Sequence, residues 1–157
     1  VIQEEEIVLP EIAPKPITSA VDLPPLVDKN LEYQEFEDAK KLITSTKYKE
    51  AFEALDKFII NYPSSELIPE AKYNLGYTQF ALRNYKAAIN TFNKIVLEYP
   101  DNPIAPNSLY QVSNSQIQLT RITKAKQTLR TLIKKYPNAD IIESAKKRLK
   151  DLESIKL

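Results

Sequence analysis

The side chains of this sequence are poor in groups that make or break bonds. It holds no His and no Cys. That removes the commonest general base, thiolate nucleophiles, thiolate metal sites and disulfides. Its Ser and Thr hydroxyls have no imidazole to take their protons. A single glycine, Gly76, leaves no glycine-rich loop to cradle a phosphate. Glu4, Glu5 and Glu6 cluster where nothing holds them in geometry, and Glu35, Glu37 and Asp38 fall on different faces of one helical stretch. No catalytic residue, metal site or cofactor is therefore expected. The chemistry that remains is recognition. Tyr73, Tyr77 and Tyr110 carry rings that contribute contact area and hydroxyls that find hydrogen-bond partners.

The elements that must position those rings are marked by punctuation. Tyr-Pro occurs at Tyr62-Pro63, Tyr99-Pro100 and Tyr136-Pro137, 37 residues apart both times. A fixed period of that size marks stacked repeats. Other columns travel with it: Tyr48, Tyr85 and Ile122; Ala51, Ala88 and Ala125; Leu55, Phe92 and Leu129; Ile59, Val96 and Ile133; Ala71, Ser108 and Ala145; Leu75, Val112 and Leu149. Size and polarity recur, not only the proline.

Apolar spacing near 3.6 residues predicts helices over residues 31–45, 47–61, 66–82, 84–98, 103–119, 121–135 and 139–154. Pro63 stops the second helix, and the residue before a proline is pushed out of the α region. Asn102 followed by Pro103 reads as an N-cap with Pro at the first helical position. Asp140 with Glu143 resembles a capping box. The repeats are expected over about residues 30–63, 64–100 and 101–137, with a polar capping helix at about 139–154, inside one domain of residues 30–157. Residues 1–29 hold five of the eleven Pro and no helical periodicity, so an extended or disordered linker is expected there.

Composition agrees with a folded, water-facing chain: 43% hydrophobic and 27% charged over 157 residues. No apolar run reaches the roughly 18 residues that span a bilayer. No secretory leader is read at Val1, and a chain without Met is expected to be a mature product or a fragment. Net charge is +1, unevenly spread: −4 over residues 1–29 and +7 over residues 121–157. Contact between the two ends, or with an acidic partner, is open to such a chain.

The second unit, PEAKYNLGYTQFALRNYKAAINTFNKIVLEYP, resembles the tetratricopeptide repeat (TPR): Leu75 and Gly76 in its first helix, Ala88 and Phe92 in its second, then Pro100. Small residues at Gly76, Ala51, Ala88 and Ala125 let paired helices approach closely. Phe92 fills the space between repeats, and Pro63, Pro100 and Pro137 end the units. The third unit departs, with Val112-Ser113 in place of Leu-Gly. The period exceeds the usual roughly 34 residues. With that longer link, residues 48–63 (YKEAFEALDKFIINYP), 85–100 (YKAAINTFNKIVLEYP) and 125–137 (AKQTLRTLIKKYP) look like one subgroup, the C-terminal domain of the Tol-Pal system protein YbgF, also called CpoB.

The resemblance implies an all-α, right-handed superhelix of three TPR helix-turn-helix repeats plus a C-terminal capping helix. It implies a non-catalytic protein–protein scaffold in the periplasm that contacts TolA and coordinates outer-membrane constriction with peptidoglycan synthesis in cell division. Relatives of that subgroup oligomerise through a coiled coil. Residues 1–29 show no heptads, so an oligomer is expected only if a coiled coil precedes this chain. Another envelope assembly scaffold, a BamD-like TPR lipoprotein, is the alternative; it needs a lipid-bearing Cys from outside this sequence. An RNA-binding helical repeat is a third reading, disfavoured because the basic residues of the last repeat and cap sit more on second helices than in the groove.

By the same resemblance, ligand-facing positions fall at Tyr33, Phe36 and Lys40; at Glu70, Tyr73, Tyr77 and Phe80; and at Asn107, Tyr110, Asn114 and Gln118. Phe36, Tyr73 and Tyr110 form an aromatic column at the 37-residue period. The same rings could instead pack between helices, and burial decides between the two roles. A charge-assisted clamp on a C-terminal carboxylate is disfavoured, because of its required types only Lys40, Asn74 and Asn114 are present. An apolar-aromatic groove for an extended or helical segment fits better.

Overall fold

Seven α-helices and no strand make up residues 28–154, the part described by the computed structural model. They are α1 (Lys29–Thr44), α2 (Tyr48–Asn61), α3 (Ile68–Ala81), α4 (Tyr85–Glu98), α5 (Ile104–Gln118), α6 (Ile122–Lys135) and α7 (Ile142–Ser154). The linker expected over residues 1–29 lies, but for its last two residues, outside the described residues. Each helix packs on the next in sequence; α3 also packs on α5, and α1 on α3. Among the described residues no helix is long and apolar enough to cross a membrane.

The turn inside each pair is built three times in the same way. Thr46, Arg83 and Thr120, spaced by 37 residues, have φ of 58°, 61° and 56°. That left-handed residue lets the next N–H reach back over the helix end: Lys47 donates to the Leu42 carbonyl (2.9 Å), Asn84 to Gln79 (2.8 Å) and Arg121 to Gln116 (2.8 Å). This pattern satisfies carbonyls that a helix end would leave unpaired. Glycine normally holds such a position, and here three side-chain-bearing residues do.

The exit from each pair is equally regular. Tyr62, Tyr99 and Tyr136 sit at φ −124°, −132° and −128° with ψ 56°, 55° and 57°. The following proline forbids the α conformation there and forces the bend. Each tyrosine carbonyl then accepts from the residue three further on, Ser65, Asn102 or Ala139, at 3.0–3.1 Å. Asn102 Oδ1 accepts from Ile104 N–H at 3.0 Å, but the N-cap is Pro103 and α5 begins at Ile104, one residue later than expected. The capping box expected at Asp140 is corrected. A turn in which Ile142 N–H donates to Ala139 delays α7 to Ile142, and Glu143 pairs forward with Lys146 at 2.8 Å.

The core repeats with the chain. Ala51, Ala88 and Ala125 are 0% exposed, as are Leu55, Phe92 and Leu129. The column of Ile59, Val96 and Ile133 is only half-buried; its neighbours Phe58, Ile95 and Leu132 carry the burial instead. One residue is 100° of helix, so the period alone finds the column but not its phase.

A close contact joins α3 to α4 at Gly76. A Cβ added at Gly76 would stand 2.8 Å from Phe92 Cε1 and 2.9 Å from Cζ. The equivalent pairs in the other units are Ala39 with Leu55 and Ser113 with Leu129, so a smaller second-helix residue accompanies the larger first-helix one.

Two outcomes are expected. Gly76→Ala should cost about 1–3 kcal/mol from overpacking, although Ala favours a helix over Gly by about 1 kcal/mol. Phe92→Leu added to it should recover stability in urea unfolding; a neutral Gly76→Ala would sink the assignment. Arg83→Gly should stabilise by about 1 kcal/mol by relieving the left-handed backbone. A lower unfolding midpoint would show that the arginine side chain, not its backbone, matters there.

Candidate functional site

Because α3 lies against both α1 and α5, the faces of these first helices that turn away from the second helices form one continuous surface. A cleft of about 510 Å³ runs between α3 and α5. Glu66, Pro69, Glu70, Tyr73 and Asn74 line one wall, and Asn102, Pro103, Ile104 and Asn107 the other. A notch of about 330 Å³ lies one step earlier, with Lys29, Glu32 and Tyr33 against residues 64–67. Another of about 250 Å³ lies one step later, with Pro103, Pro106 and Asn107 against residues 138–141. Moving by 37 residues carries 29, 32 and 33 onto 66, 69 and 70, and those onto 103, 106 and 107. The same notch is thus built at three successive junctions.

Of the residues expected to face a ligand, Glu70, Tyr73 and Asn107 share the 510 Å³ cleft, and Tyr33 lines the preceding notch. Tyr33 is 58% exposed and Tyr77 38%. Gln118 is exposed, while Asn114 and Tyr110 are half-buried. Tyr73 is half-buried and serves two ends. Its ring meets Phe92 edge-on at 5.4 Å, and its hydroxyl accepts from Gln111 Nε2 at 3.3 Å. Tyr110 likewise packs against the core cluster that includes Leu109 and Leu129.

Two expected groove residues turn out to be packing residues. Phe36 is 1% exposed, its ring 5.4 Å from Phe58. Phe80 is half-buried, its ring 5.2 Å from Tyr85, across the turn to the second helix. Both have an apolar neighbour on the paired helix, and burying a ring there stabilises more than presenting it to water. The aromatic column of Phe36, Tyr73 and Tyr110 is therefore mostly sunk below the surface.

Lys40 is held rather than free. Its Nζ lies 3.0 Å from Glu37 and 3.3 Å from Glu70, tying α1 to α3, and 5.2 Å from the centre of the Phe36 ring. The hydrogen bond that Lys40 donates to Glu37, reinforced by Glu70, raises the Lys40 ammonium above the ordinary lysine range against the opposing pull of burial. Beside the first notch, Ser65 donates to Glu32 and accepts from Leu67 N–H at 3.0 Å.

Gln111 was missed by sequence reasoning. The signal for it was available: Asn107, Gln111, Asn114 and Gln118 recur at i, i+4, i+7 and i+11, one face of α5. Asn102 and Pro103, expected as helix punctuation, also form a wall of the cleft, with Pro69 on the other.

Residues 28–155 match the model of the YfiO family, described as "Outer membrane lipoprotein". A search of the curated proteins finds no match. Similar solved structures include the second TPR domain of the human RPAP3 protein in complex with the HSP70 peptide SGPTIEEVD. It is 14% identical, with 80% of this chain and 98% of that chain covered and a TM-score of 0.64. PcrH from Pseudomonas aeruginosa is 13% identical over 82% of this chain and 96% of that one, with a TM-score of 0.67. The TPR2AB domain of yeast Sti1, in a complex with pHSP90, is 19% identical over 80% of this chain, with a TM-score of 0.63; this chain spans 50% of that one. At such identities the likeness is one of fold, and the fold is the all-α TPR-type repeat. The matching family model is YfiO rather than the Tol-Pal subgroup that the Tyr-Pro links resemble. With nearly all of its length after residue 27 covered, the chain belongs to the YfiO family of outer membrane lipoproteins.

Proposed function

We propose that the protein is a non-catalytic scaffold of the cell envelope. It holds a segment of a partner protein in the groove between its first helices, as an assembly factor of the outer-membrane, BamD-like kind. The observation that carries the binding role is the same notch repeated at three junctions, which offers a chain-like ligand equivalent contacts in series. The family description, which names the outer membrane, supports an envelope location. Attachment by lipid would use a Cys from outside residues 1–157, which hold none. The titles of two similar structures name bound HSP70 and HSP90 partners, which supports protein ligands for this repeat architecture. The absence of His and Cys from the sequence supports a non-catalytic role.

A second reading keeps the Tol-Pal adaptor that contacts TolA in cell division. The 37-residue Tyr-Pro period favours it. The two readings share the groove and differ in the occupant.

Asn107 lines the groove, and Tyr77, one helical turn beyond Tyr73 on α3, is exposed; neither belongs to the core. Tyr77→Ala combined with Asn107→Ala should leave the melting temperature within a few degrees of the parent. The same change should reduce recovery of outer-membrane assembly proteins from envelope extract about fivefold, the scale of interface truncations near 1 kcal/mol. Binding of purified TolA that the double change weakens would favour the second reading. Recovery unaffected by the change, or salt-sensitive capture of RNA, would refute the groove as the working surface.

A further inference from the structure

Packing does not explain the sign of the charge on the last two helices. α6 carries Lys124, Lys126, Arg130, Lys134 and Lys135 and no acid. α7 adds Lys146, Lys147, Arg148 and Lys150 against Glu143, Asp151 and Glu153. All of these cations but the half-buried Lys126 are exposed. A capping helix needs charge to stay soluble, but mixed signs serve that end as well. The helix dipole accounts only for Lys134 and Lys135, in the last turn of α6.

The preceding repeats lack this charge at matching positions. Lys126, Arg130 and Lys134 lie at i, i+4 and i+8, one row along α6. The matching row of α4 is Ile89, Asn93 and Leu97, and that of α2 is Phe52, Asp56 and Ile60. One row is thus apolar and acidic in the first unit, apolar and neutral in the second, and wholly cationic in the third. Arg130 Nη2 reaches Glu153 Oε1 at 2.6 Å, which sets this row beside Lys146, Lys150 and Glu153 of α7. Among the described residues, Arg130 and Lys146 are the only cations of α6 and α7 within ion-pair distance of a carboxylate. The others leave a basic face at the end of the stack farthest from α1.

We propose that the exposed face of α6 and α7 docks on a bilayer surface that contains anionic phospholipid. The proposal goes beyond the groove and rests on the envelope reading only for the choice of occupant. Lysine supplies most of the face, with Arg130 and Arg148 the only arginines. Its ammonium is a point charge on a flexible stem, which suits a shifting array of headgroups. A single carboxylate or phosphate is held better by the planar fork of arginine. Nucleic acid asks for stacking rings beside the cations. The ring at the end of α6, Tyr136, is instead packed against the core, its hydroxyl on the Pro100 carbonyl. The family description, an outer membrane lipoprotein, supports a membrane as the neighbouring surface. Because α6 is a second helix, docking there leaves the groove of the first helices open to its partner.

The test is sedimentation of the full chain with vesicles of phosphatidylcholine, alone or with about 30% phosphatidylglycerol. Binding should need the anionic lipid and weaken at least about tenfold between roughly 50 and 500 mM NaCl. Lys134→Glu with Lys150→Glu should weaken it at least about twentyfold, since each cation near such a surface is worth about fivefold. The melting temperature should stay within a few degrees. Lys49→Glu with Lys57→Glu, the same change of net charge on exposed lysines of α2, should alter binding less than about threefold. Equal binding to both vesicles, equal loss from both double changes, or capture of RNA but not of vesicles would overturn the proposal. So would vesicle binding that appears only after Glu4, Glu5 and Glu6 are changed to Gln, because the chain's own acidic segment would then be the occupant. None of these failures touches the groove. Vesicle binding by a chain that recovers no envelope protein from extract would support the basic face and remove the envelope reading instead.

Discussion

No helix pair in this protein can bury its own apolar face, and the whole structure follows from the need of each pair for the next. Tyr99 shows the dependence directly. It packs against the cluster built around Phe36, Leu55 and Phe58, and also against the cluster built around Ala88, Phe92 and Ile95. Tyr136, one step on, packs against the last cluster and donates a hydrogen bond from its hydroxyl to the Pro100 carbonyl at 2.9 Å. A tyrosine before a proline thus does two things at once. Its backbone bends the chain, and its ring fills the seam that the bend creates. α7 ends the series, burying Ile142, Ala145 and Leu152 while facing water with Lys146, Lys147 and Lys150.

Stacking also decides which side chains remain for recognition. Where the second helices approach, the first helices give up their largest apolar groups to the seam: Phe36 to Phe58, Phe80 to Tyr85, and one face of Tyr73 to Phe92. The groove keeps what the seam does not take, namely amides, tyrosine hydroxyls and the Lys40–Glu70 tie. Its polarity is a consequence of packing rather than a separate feature. A wall made of amides and hydroxyls holds its ligand by hydrogen bonds whose strength depends on excluding water, so the depth of the notches matters as much as their chemistry.

Much of the fold was legible because its signals are local. Proline at 63, 100 and 137 forbids helix by its own ring, whatever surrounds it. The three alanine positions, 51, 88 and 125, are fully buried, in line with their small size at a helix crossing. The ends of the elements were less legible. α3, α5 and α7 start one to three residues later than their apolar patterns predict, because a turn closed by residues 65, 102 and 139 occupies the start of each. The phase of the core was also hidden: both Phe58 and Ile59 are apolar, and only the orientation of α2 against α1 and α3 chooses between them.

By itself the sequence determined the repeat, its length and the helix stops, since each depends on residue type and spacing alone. The tertiary structure alone decided the fate of the aromatic column. Whether a ring at a first-helix position faces a ligand or a neighbouring helix depends on the distance to a side chain 19 to 22 residues away, a quantity no local pattern contains. It likewise decided that Gln111 meets the Tyr73 hydroxyl, because residues about one repeat apart meet only when the pairs stack.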